Sequence, residues 1–368
     1  MVFKKKIKAL VIGGGIHGLT SAIALANSGV EVTLVEKNRE LMKGTSGATH
    51  NRAHMGYHYP RSVETAIECM EGLNFFKNKY PESLSYPEEV YYLVEKENSK
   101  ISPDEFREFC DEMNIPYNIG MPESEICLKD SIDTGFRVSE PVFKLRSLTK
   151  LLETEAIELG IKILNNSRVI DFNEPDGIYG VVVQQGNDVS IISADIILNA
   201  SYAYSNNLLK ILGLEGDMTK YVLQKTEIPI VRSRKPLPSM TIMDGDFISI
   251  MQEGENMDLF LLYDVLYSVL EKEEGFYLDE ERRYPSNFDK MIDHGAKYFP
   301  FLKDLEYVDS LWGSRPIPVG ISGDSRKTRI RGHNKFPGVY SILEGKFISA
   351  PLVAKRLINQ ISNDGIFS

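Results

Sequence analysis

The segment Val11-Ile12-Gly13-Gly14-Gly15-Ile16-His17-Gly18 constrains the fold more than any other feature of the chain. It reads Gly-x-Gly-x-x-Gly directly after an apolar strand at 9–12 and opens a helix read over 19–27. Gly13 permits the tight turn, Gly15 lets the backbone approach a pyrophosphate, and Gly18 lets the helix pack closely on the strand. The helix N-terminus offers unpaired N–H groups and the positive end of its dipole to phosphates. A second strand at 30–35 ends in Glu36, whose carboxylate suits an adenosine ribose at the offset of about 20 residues expected for that acid. Strand, glycines, helix, strand and acid follow in the order of a dinucleotide-binding βαβ unit. That unit alone fits a nicotinamide enzyme and a flavoenzyme equally.

At 368 residues the chain can bury a large core and is expected to form roughly two domains. The net charge of −10 disfavours unguided nucleic-acid binding, which needs a basic footprint. Cys69, Cys110 and Cys127 are odd in number and form no CxxC pair, so neither a disulfide framework nor a zinc site is expected. A reducing cytoplasm is the simple reading. Lys4-Lys5-Lys6 beside an apolar run mimics a signal peptide, but the run is short and passes straight into the glycine turn. No stretch approaches the ~18 apolar residues of a membrane span, and peripheral membrane contact stays open.

Beyond the opening unit, residues 89–95 read as a strand and 103–113 as a helix with Pro103 in its first turn. Residues 143–159 read as an amphipathic helix closed by Gly160. Strands follow at 162–164, 169–172, 180–184 and 189–193. The continuous apolar run at 195–199 suggests burial in a parallel sheet. Asp244-Gly245-Asp246 reads as a hairpin turn between strands at 240–243 and 247–251, followed by a strand at 259–263. Residues 286–298 read as a helix stopped by Pro300, and the chain closes with a strand at 339–343 and a helix at 350–361. Parallel α/β elements therefore lie at the start, middle and end, with antiparallel stretches between. The expected fold class is α/β: a Rossmann-like cofactor domain (1–75, 143–215 and 311–368) interleaved with an antiparallel α+β substrate domain (76–142 and 216–310). A nicotinamide dehydrogenase more often keeps its cofactor domain contiguous, so this order favours a flavoprotein.

The loop from Gly44 to Arg61 holds three of the six histidines. Small residues and hydroxyls come first, as a second phosphate contact requires; imidazoles, tyrosines and Arg52 follow. His50, His54 and His58 recur at the spacing of metal ligands on a helix, but Gly47, Gly56 and Pro60 oppose one helix and no acid lies in the loop. Hydrogen-bonded histidines in a packed loop are the other plain reading.

These motifs resemble the D-amino-acid oxidase superfamily of FAD-dependent oxidoreductases, which includes glycine oxidase, sarcosine oxidase and L-2-hydroxyglutarate dehydrogenase. The Gly44-Thr45-Ser46 … Asn51 … His54-x-Gly56 loop resembles their second flavin-contacting segment. Asn199-Ala200-Ser201 resembles their turn beneath the cofactor, with Tyr202 in place of a usual glycine. Trp312-Gly313-Ser314-Arg315-Pro316 resembles their Gly-x-Arg-Pro segment, whose arginine commonly meets a substrate carboxylate. Gly338-Val339-Tyr340 … Glu344-Gly345-Lys346-Phe347 … Ala350-Pro351 resembles their final strand and flavin-side helix, with Glu344-Gly345-Lys346 where Gly-His-Gly is commoner.

The resemblance implies FAD; some relatives attach it through a cysteine near the C-terminal end, and because no cysteine follows Cys127 a non-covalent hold is expected here, with histidyl attachment through His50 or His54 as the alternative. The contacting set expected with FAD is Gly13, Gly15, Ile16, His17, Gly18, Glu36, Lys37, Thr45, Ser46, Asn51, His54, Val169, Ala200, Ser201, Gly313, Gly345, Lys346 and Phe347, with no metal ligands. His54, His58 and Arg315 are the expected catalytic and substrate-reading residues, and Tyr57, Tyr59, Tyr263 and Tyr267 are possible pocket walls. A guanidinium fork reads an anion bidentately, so the expected partner is a small anionic substrate. The implied reaction moves a hydride from a carbon bearing an amine or hydroxyl to flavin N5. An alcohol needs a base near pH 7, which histidine supplies, and this tilts the reading toward a hydroxy acid. The electron acceptor is left open. Other classes in view are a nicotinamide-dependent enzyme, a flavin-dependent tRNA-modifying enzyme, for which basic tracts are missing, and a partner-dependent flavin-binding subunit.

Overall fold

The computed structural model describes residues 6–123, 125–128, 130–174, 179–278, 284–320, 328–343 and 345–367. Lys4, Lys5 and Glu344 lie outside them. A six-stranded sheet runs in the order Arg329–Gly332, Val339–Leu343, Ile196–Asn199, Lys8–Ile12, Glu31–Val35, Lys162–Leu164. All of its pairings are parallel except that between Arg329–Gly332 and Val339–Leu343. Along the first strand, Ala9 and Val11 pack in a core with Leu19, Leu148 and Leu357, while Leu10 and Ile12 pack oppositely with Val181, Leu208 and Leu209. Both faces are therefore covered, which explains why these strands are apolar runs rather than alternating ones. The second cover is an antiparallel sheet of Ser167–Asn173, Tyr179–Gln185 and Asp188–Ala194.

A nine-stranded sheet forms around the long strand Tyr221–Arg232. That strand pairs antiparallel with Leu259–Asp264, Val269–Gly275 and Glu306–Pro318. The sheet continues through Ile248–Gln252, Ser239–Met243, Val90–Glu95, Ile132–Val138 and Tyr117–Ile119. Met240 opposes Ile250, so the hairpin expected around Asp244-Gly245-Asp246 is present.

Several elements depart from the sequence reading. The first helix is Ile16–Asn27, three residues earlier than expected, with Gly15 as its N-cap. Val142–Phe143 is a short strand ahead of the helix Leu145–Glu158, because the Phe143 N–H is taken by the Asn51 carbonyl. The helix Val63–Lys79 follows the histidine loop in a segment for which the sequence reading gives no element. The helix expected at 286–298 is shortened to Phe288–Gly295. Of the expected domain junctions, 75 falls inside the helix Val63–Lys79, 143 inside the strand Val142–Phe143 and 311 inside the strand Glu306–Pro318.

The glycine turn shows why its residues are small. Gly13 has φ +110°, and a Cβ there meets the Ala200 carbonyl oxygen at 2.6 Å. A Cβ on Gly18 lies 1.8 Å from the Gly13 carbonyl oxygen. Gly18→Ala is expected to force the helix off the turn at a cost of about 1–3 kcal/mol or more, read as a lowered urea unfolding midpoint.

Candidate active site

A cavity of about 780 Å³ opens at the C-terminal ends of the parallel strands, the usual ligand position in such sheets. Gly13, Gly15, Ile16, His17, Glu36, Lys37, Thr45, Ser46, His54, His58, Val169, Ala200, Ser201, Arg315, Gly345, Lys346 and Phe347 line it. Gly18, Asn51 and Gly313 do not. Gly18 packs under Gly13. Asn51 is buried with its amide donating to the Glu253 carbonyl at 2.9 Å. A Cβ on Gly313 meets Thr226 Oγ1 at 2.9 Å and Ala48 Cβ at 3.2 Å, so this glycine brings strand and loop together. Tyr59 and Tyr263 are cavity walls, whereas Tyr57 donates its hydroxyl to the Pro116 carbonyl and Tyr267 packs against a separate core.

The nucleotide-facing elements fit a dinucleotide. Glu36 is buried, and its carboxylate accepts the Gly14 N–H at 2.6 Å and the Asn38 N–H at 2.8 Å. Those bonds aim the acid and leave each oxygen a lone pair for a ribose hydroxyl. The Ile16 N–H at the helix start donates to Ser46 Oγ at 3.0 Å, which ties the second loop to the phosphate-facing terminus. Thr45 Oγ1 donates to the Ser314 carbonyl at 2.9 Å. Asn199 Oδ1 accepts the Ser201 N–H and hydroxyl, which closes the turn carrying Ala200 and Ser201. Tyr202 adopts φ +54°, in the region that favours glycine, where the resemblance expects one. Gly345 has φ +128°, and a Cβ there meets His17 Nε2 at 2.8 Å.

The imidazoles gather in one part of the cavity wall. The His54 and His58 ring centroids are 5.4 Å apart, and Tyr59 lies 5.1 Å from the first and 5.2 Å from the second. Lys346 Nζ stands 3.8 Å over the Tyr59 ring. Arg315 donates to Gln224 Oε1 at 2.9 Å and lies over the Tyr263 ring. Sequence reasoning did not nominate Arg52 or the groups around it. Arg52 lines the cavity and donates to Tyr92 Oη and Thr241 Oγ1, each at 2.6 Å. Its Nε faces Glu140 Oε2 at 3.8 Å, and its Nη1 approaches His58 Nδ1 at 3.4 Å. The only signal was its place in the histidine loop; nothing local marks Tyr92, Thr241 or Glu140 as its partners.

Lys37, Arg52, Arg168, Arg315 and Lys346 line the cavity against the carboxylate of Glu36, in a chain of net charge −10. Burial holds the His54 imidazole well below its usual range, and His58, Arg52, Lys346 and His50 push it the same way. Burial does the same to His58, with Arg52, Lys346 and His50 adding to it. Both shifts favour the neutral rings. Among the described residues no three His, Cys, Asp or Glu side chains group as metal ligands would.

A Rossmann-type strand–turn–helix, a buried acid at the second strand end and a cavity at the sheet's C-terminal edge define a dinucleotide-dependent oxidoreductase. The family model for FAD-dependent oxidoreductases of the DAO type matches residues 8–360, and the chain belongs to that family. FAD is therefore its cofactor. A curated relative, the anaerobic glycerol-3-phosphate dehydrogenase subunit A1 of Haloferax volcanii, is 25% identical over 97% of this chain. The chain spans 64% of that relative's length. Among solved structures, glycine oxidase from Geobacillus kaustophilus superimposes with TM-score 0.74 at 16% identity, covering 97% of this chain and 94% of that one. L-α-glycerophosphate oxidase from Mycoplasma pneumoniae with FAD bound gives TM-score 0.74 at 19% identity, covering 98% and 95%. These two likenesses establish the fold, an α/β arrangement with parallel and antiparallel sheets. No helix among the described residues is long and apolar enough to cross a membrane.

Two outcomes follow from this geometry. Gly15 faces Ser46 Oγ, 2.9 Å from a built Cβ, so Gly15→Val is expected to fill the phosphate approach. The flavin-to-protein ratio of the purified variant should fall by at least about tenfold, a loss of roughly 1.4 kcal/mol or more in binding. The second concerns acid. Burial holds His17 down at about 4 and His50 at about 3. An unfolded histidine titrates near ~6.5, so the stability linked to these neutral rings is whole above that pH and is lost as pH falls toward the folded values. The slope is about 1.4 kcal/mol per pH unit for each proton. The urea midpoint is expected to fall between about pH 7.5 and about pH 5. His50→Gln, whose amide can keep the 2.7 Å bond to the Leu261 carbonyl, should show a shallower fall.

Proposed function

We propose that this FAD-dependent oxidoreductase oxidises a small anionic substrate at a carbon bearing a hydroxyl. The observation carrying this reading is that two neutral imidazoles, His54 and His58, share a cavity wall with the cations Arg52, Arg315 and Lys346. FAD, when bound, supplies the hydride acceptor. Arg315 pairs with the substrate anion through its guanidinium fork. An anion seated there offsets the cations that depress the imidazoles and brings their proton affinity toward a useful range.

The two histidines have separate roles in this reading. Arg52 Nη1 faces His58 Nδ1, which favours the tautomer with the proton on Nε2. His58 then donates a hydrogen bond to the substrate oxygen. His54 has no such cation at Nδ1, and its Nε2 takes the hydroxyl proton. The flavin is held without a covalent bond: all three cysteines are buried and none lines the cavity. Reoxidation by a partner chain is the second reading, because the haloarchaeal relative is named as a subunit and is longer than this chain.

Anaerobic flavin bleaching against hydroxy acids, glycerol phosphate and amino acids is the direct test. His54→Ala is expected to slow reduction by a hydroxy substrate by about 10²–10⁴-fold. Arg315→Lys is expected to weaken substrate binding by about tenfold or more while FAD stays bound, since a point charge does not reproduce the fork. Amines bleaching the flavin while hydroxy compounds do not would overturn the hydroxyl reading.

A further inference from the structure

Behind the histidine loop lies a carboxylate that the cavity itself does not expose. Glu140 sits in Ser139-Glu140-Pro141, between the strands Ile132–Val138 and Val142–Phe143. This turn is laced to the loop: the Ala53 N–H donates to the Pro141 carbonyl at 3.0 Å and the Phe143 N–H to the Asn51 carbonyl at 2.6 Å. The Glu140 side chain is fully buried. Its Oε1 accepts the Met55 N–H at 2.8 Å and stands 3.9 Å from His54 Nδ1. Its Oε2 accepts the Tyr92 hydroxyl at 2.6 Å and stands 3.8 Å from Arg52 Nε.

We propose that Glu140 is a positioning residue of the active site, whose carboxylate holds the proton of neutral His54 on Nδ1 and so leaves Nε2, which the Tyr59 hydroxyl faces at 3.5 Å, unprotonated to act as the base. This deepens the function proposed above and rests on it for the source of the proton that Nε2 receives.

The argument is one of charge and geometry. A buried carboxylate is costly unless its lone pairs are met. Here a backbone N–H, a phenol and a guanidinium meet them; burial is the larger influence and leaves the carboxyl above its ordinary range, while these three favour the anion. The lone pair of Oε1 that remains faces His54 Nδ1, a buried atom with no hydrogen bond to any described residue. A ring movement of under about 1 Å brings 3.9 Å into hydrogen-bond range. An imidazole tautomer is set by the bond its other nitrogen makes, and a carboxylate accepts only from N–H. The groups facing His54 are His58, Arg52, Lys346, His50 and Tyr59; those facing Glu140 are Arg52, Tyr92, Tyr57 and Cys69. Glu140 is the anion among them, 3.9 Å from Nδ1. In turnover the substrate O–H proton passes to His54 Nε2, the Nδ1 proton stays between ring and carboxylate, and the C–H hydride leaves to the cofactor. The imidazolium then lies beside an anion instead of among cations alone.

The test uses the FAD-loaded protein with ¹⁵N-labelled histidine, the His54 signals being assigned by their loss in His54→Gln. In the wild type at neutral pH, Nδ1 is expected to carry the proton. Glu140→Gln should lose that preference and Glu140→Asp should keep part of it, which also serves if the Gln variant does not fold. His54 protonated on Nε2 in the wild type, or the same tautomer in wild type and variants, overturns the proposal. In the kinetic arm, Glu140→Gln should lower the limiting rate of flavin reduction by a hydroxy substrate at least about tenfold, with little change in substrate affinity. Its acid limb should move to lower pH, because the base has lost a stabilising charge. A tautomer change without reduction by any hydroxy compound would uphold the positioning role and reject the hydroxyl reading.

Discussion

The carbonyl of Gly13 occupies the space where a side chain on residue 18 would stand. That contact seats the helix Ile16–Asn27 directly on the turn that precedes it. The seating brings the Ile16 N–H to Ser46 and the Gly14 N–H to Glu36. The strand pairing does the rest: Ile12 lies beside Val35 on one side and Asn199 on the other. Three loops, beginning at Gly13, Glu36 and Ala200, therefore emerge together at one sheet edge. A displaced helix would lose the phosphate-facing terminus, the aim of the acid and the floor under the cavity at once.

Electrostatics then separate surface from site. The chain carries excess acid, yet its cavity wall carries excess cation. Burial, with the nearby cations adding to it, disfavours the charged form of both imidazoles, so a histidine-rich wall adds little charge of its own. The excess also prepares the cavity for a ligand that brings negative charge, whether in the pyrophosphate of the cofactor or in the substrate. Arg52 is treated differently from Arg315. It is buried and bonded to Tyr92 and Thr241 with Glu140 behind it, so its charge is fixed in place. Among the described residues Arg315 has one side-chain hydrogen bond, to the neutral Gln224.

The opening βαβ unit was legible because each of its residues has a local steric or electrostatic reason. The buried run at 196–199 was legible for the same reason: only a strand covered on both faces is apolar throughout. The helix Val63–Lys79 was not, since Thr65, Ala66, Cys69 and Gly72 share its buried face with only two large apolar residues, Leu73 and Phe76, and Gly72 is there for a contact with the Ile348 carbonyl that sequence does not show. Phe143 reads as part of a helix because the residues after it are helical; its backbone is claimed by Asn51, far away in sequence. The strands Tyr221–Arg232 and Glu306–Pro318 contain Pro229 and Pro316, which by composition argue against a strand. Candidate residues on the glycine turn and in the histidine loop could be named because they cluster in sequence. Tyr92, Glu140 and Thr241 could not, because three separate strands or turns deliver them.

The loop from Gly44 to Arg61 is where these long-range relations meet. Ser46 is bonded to the helix of the six-stranded sheet, while Thr45, His50 and Arg52 are bonded to Ser314, Leu261 and Thr241 of the nine-stranded one. Asn51 reaches the Glu253 carbonyl just beyond the strand Ile248–Gln252 and adopts φ +50°, a conformation asparagine tolerates better than most side chains. Such a loop has little freedom of its own: the side chains of Thr45, Ser46, His50, Asn51 and Arg52 are each bonded to a residue outside it, and Thr49 is bonded to Asn51. The histidines that follow inherit that rigidity, and His54 and His58 reach the cavity with ring positions set by both sheets. In the proposed mechanism reactivity depends on which ring nitrogen holds the proton: Arg52 faces His58 Nδ1 from the cavity wall and Glu140 faces His54 Nδ1 from behind it. A different residue at 140 would remove the carboxylate that stands behind Arg52 and beside His54 Nδ1, and with it the proposed asymmetry between the two imidazoles.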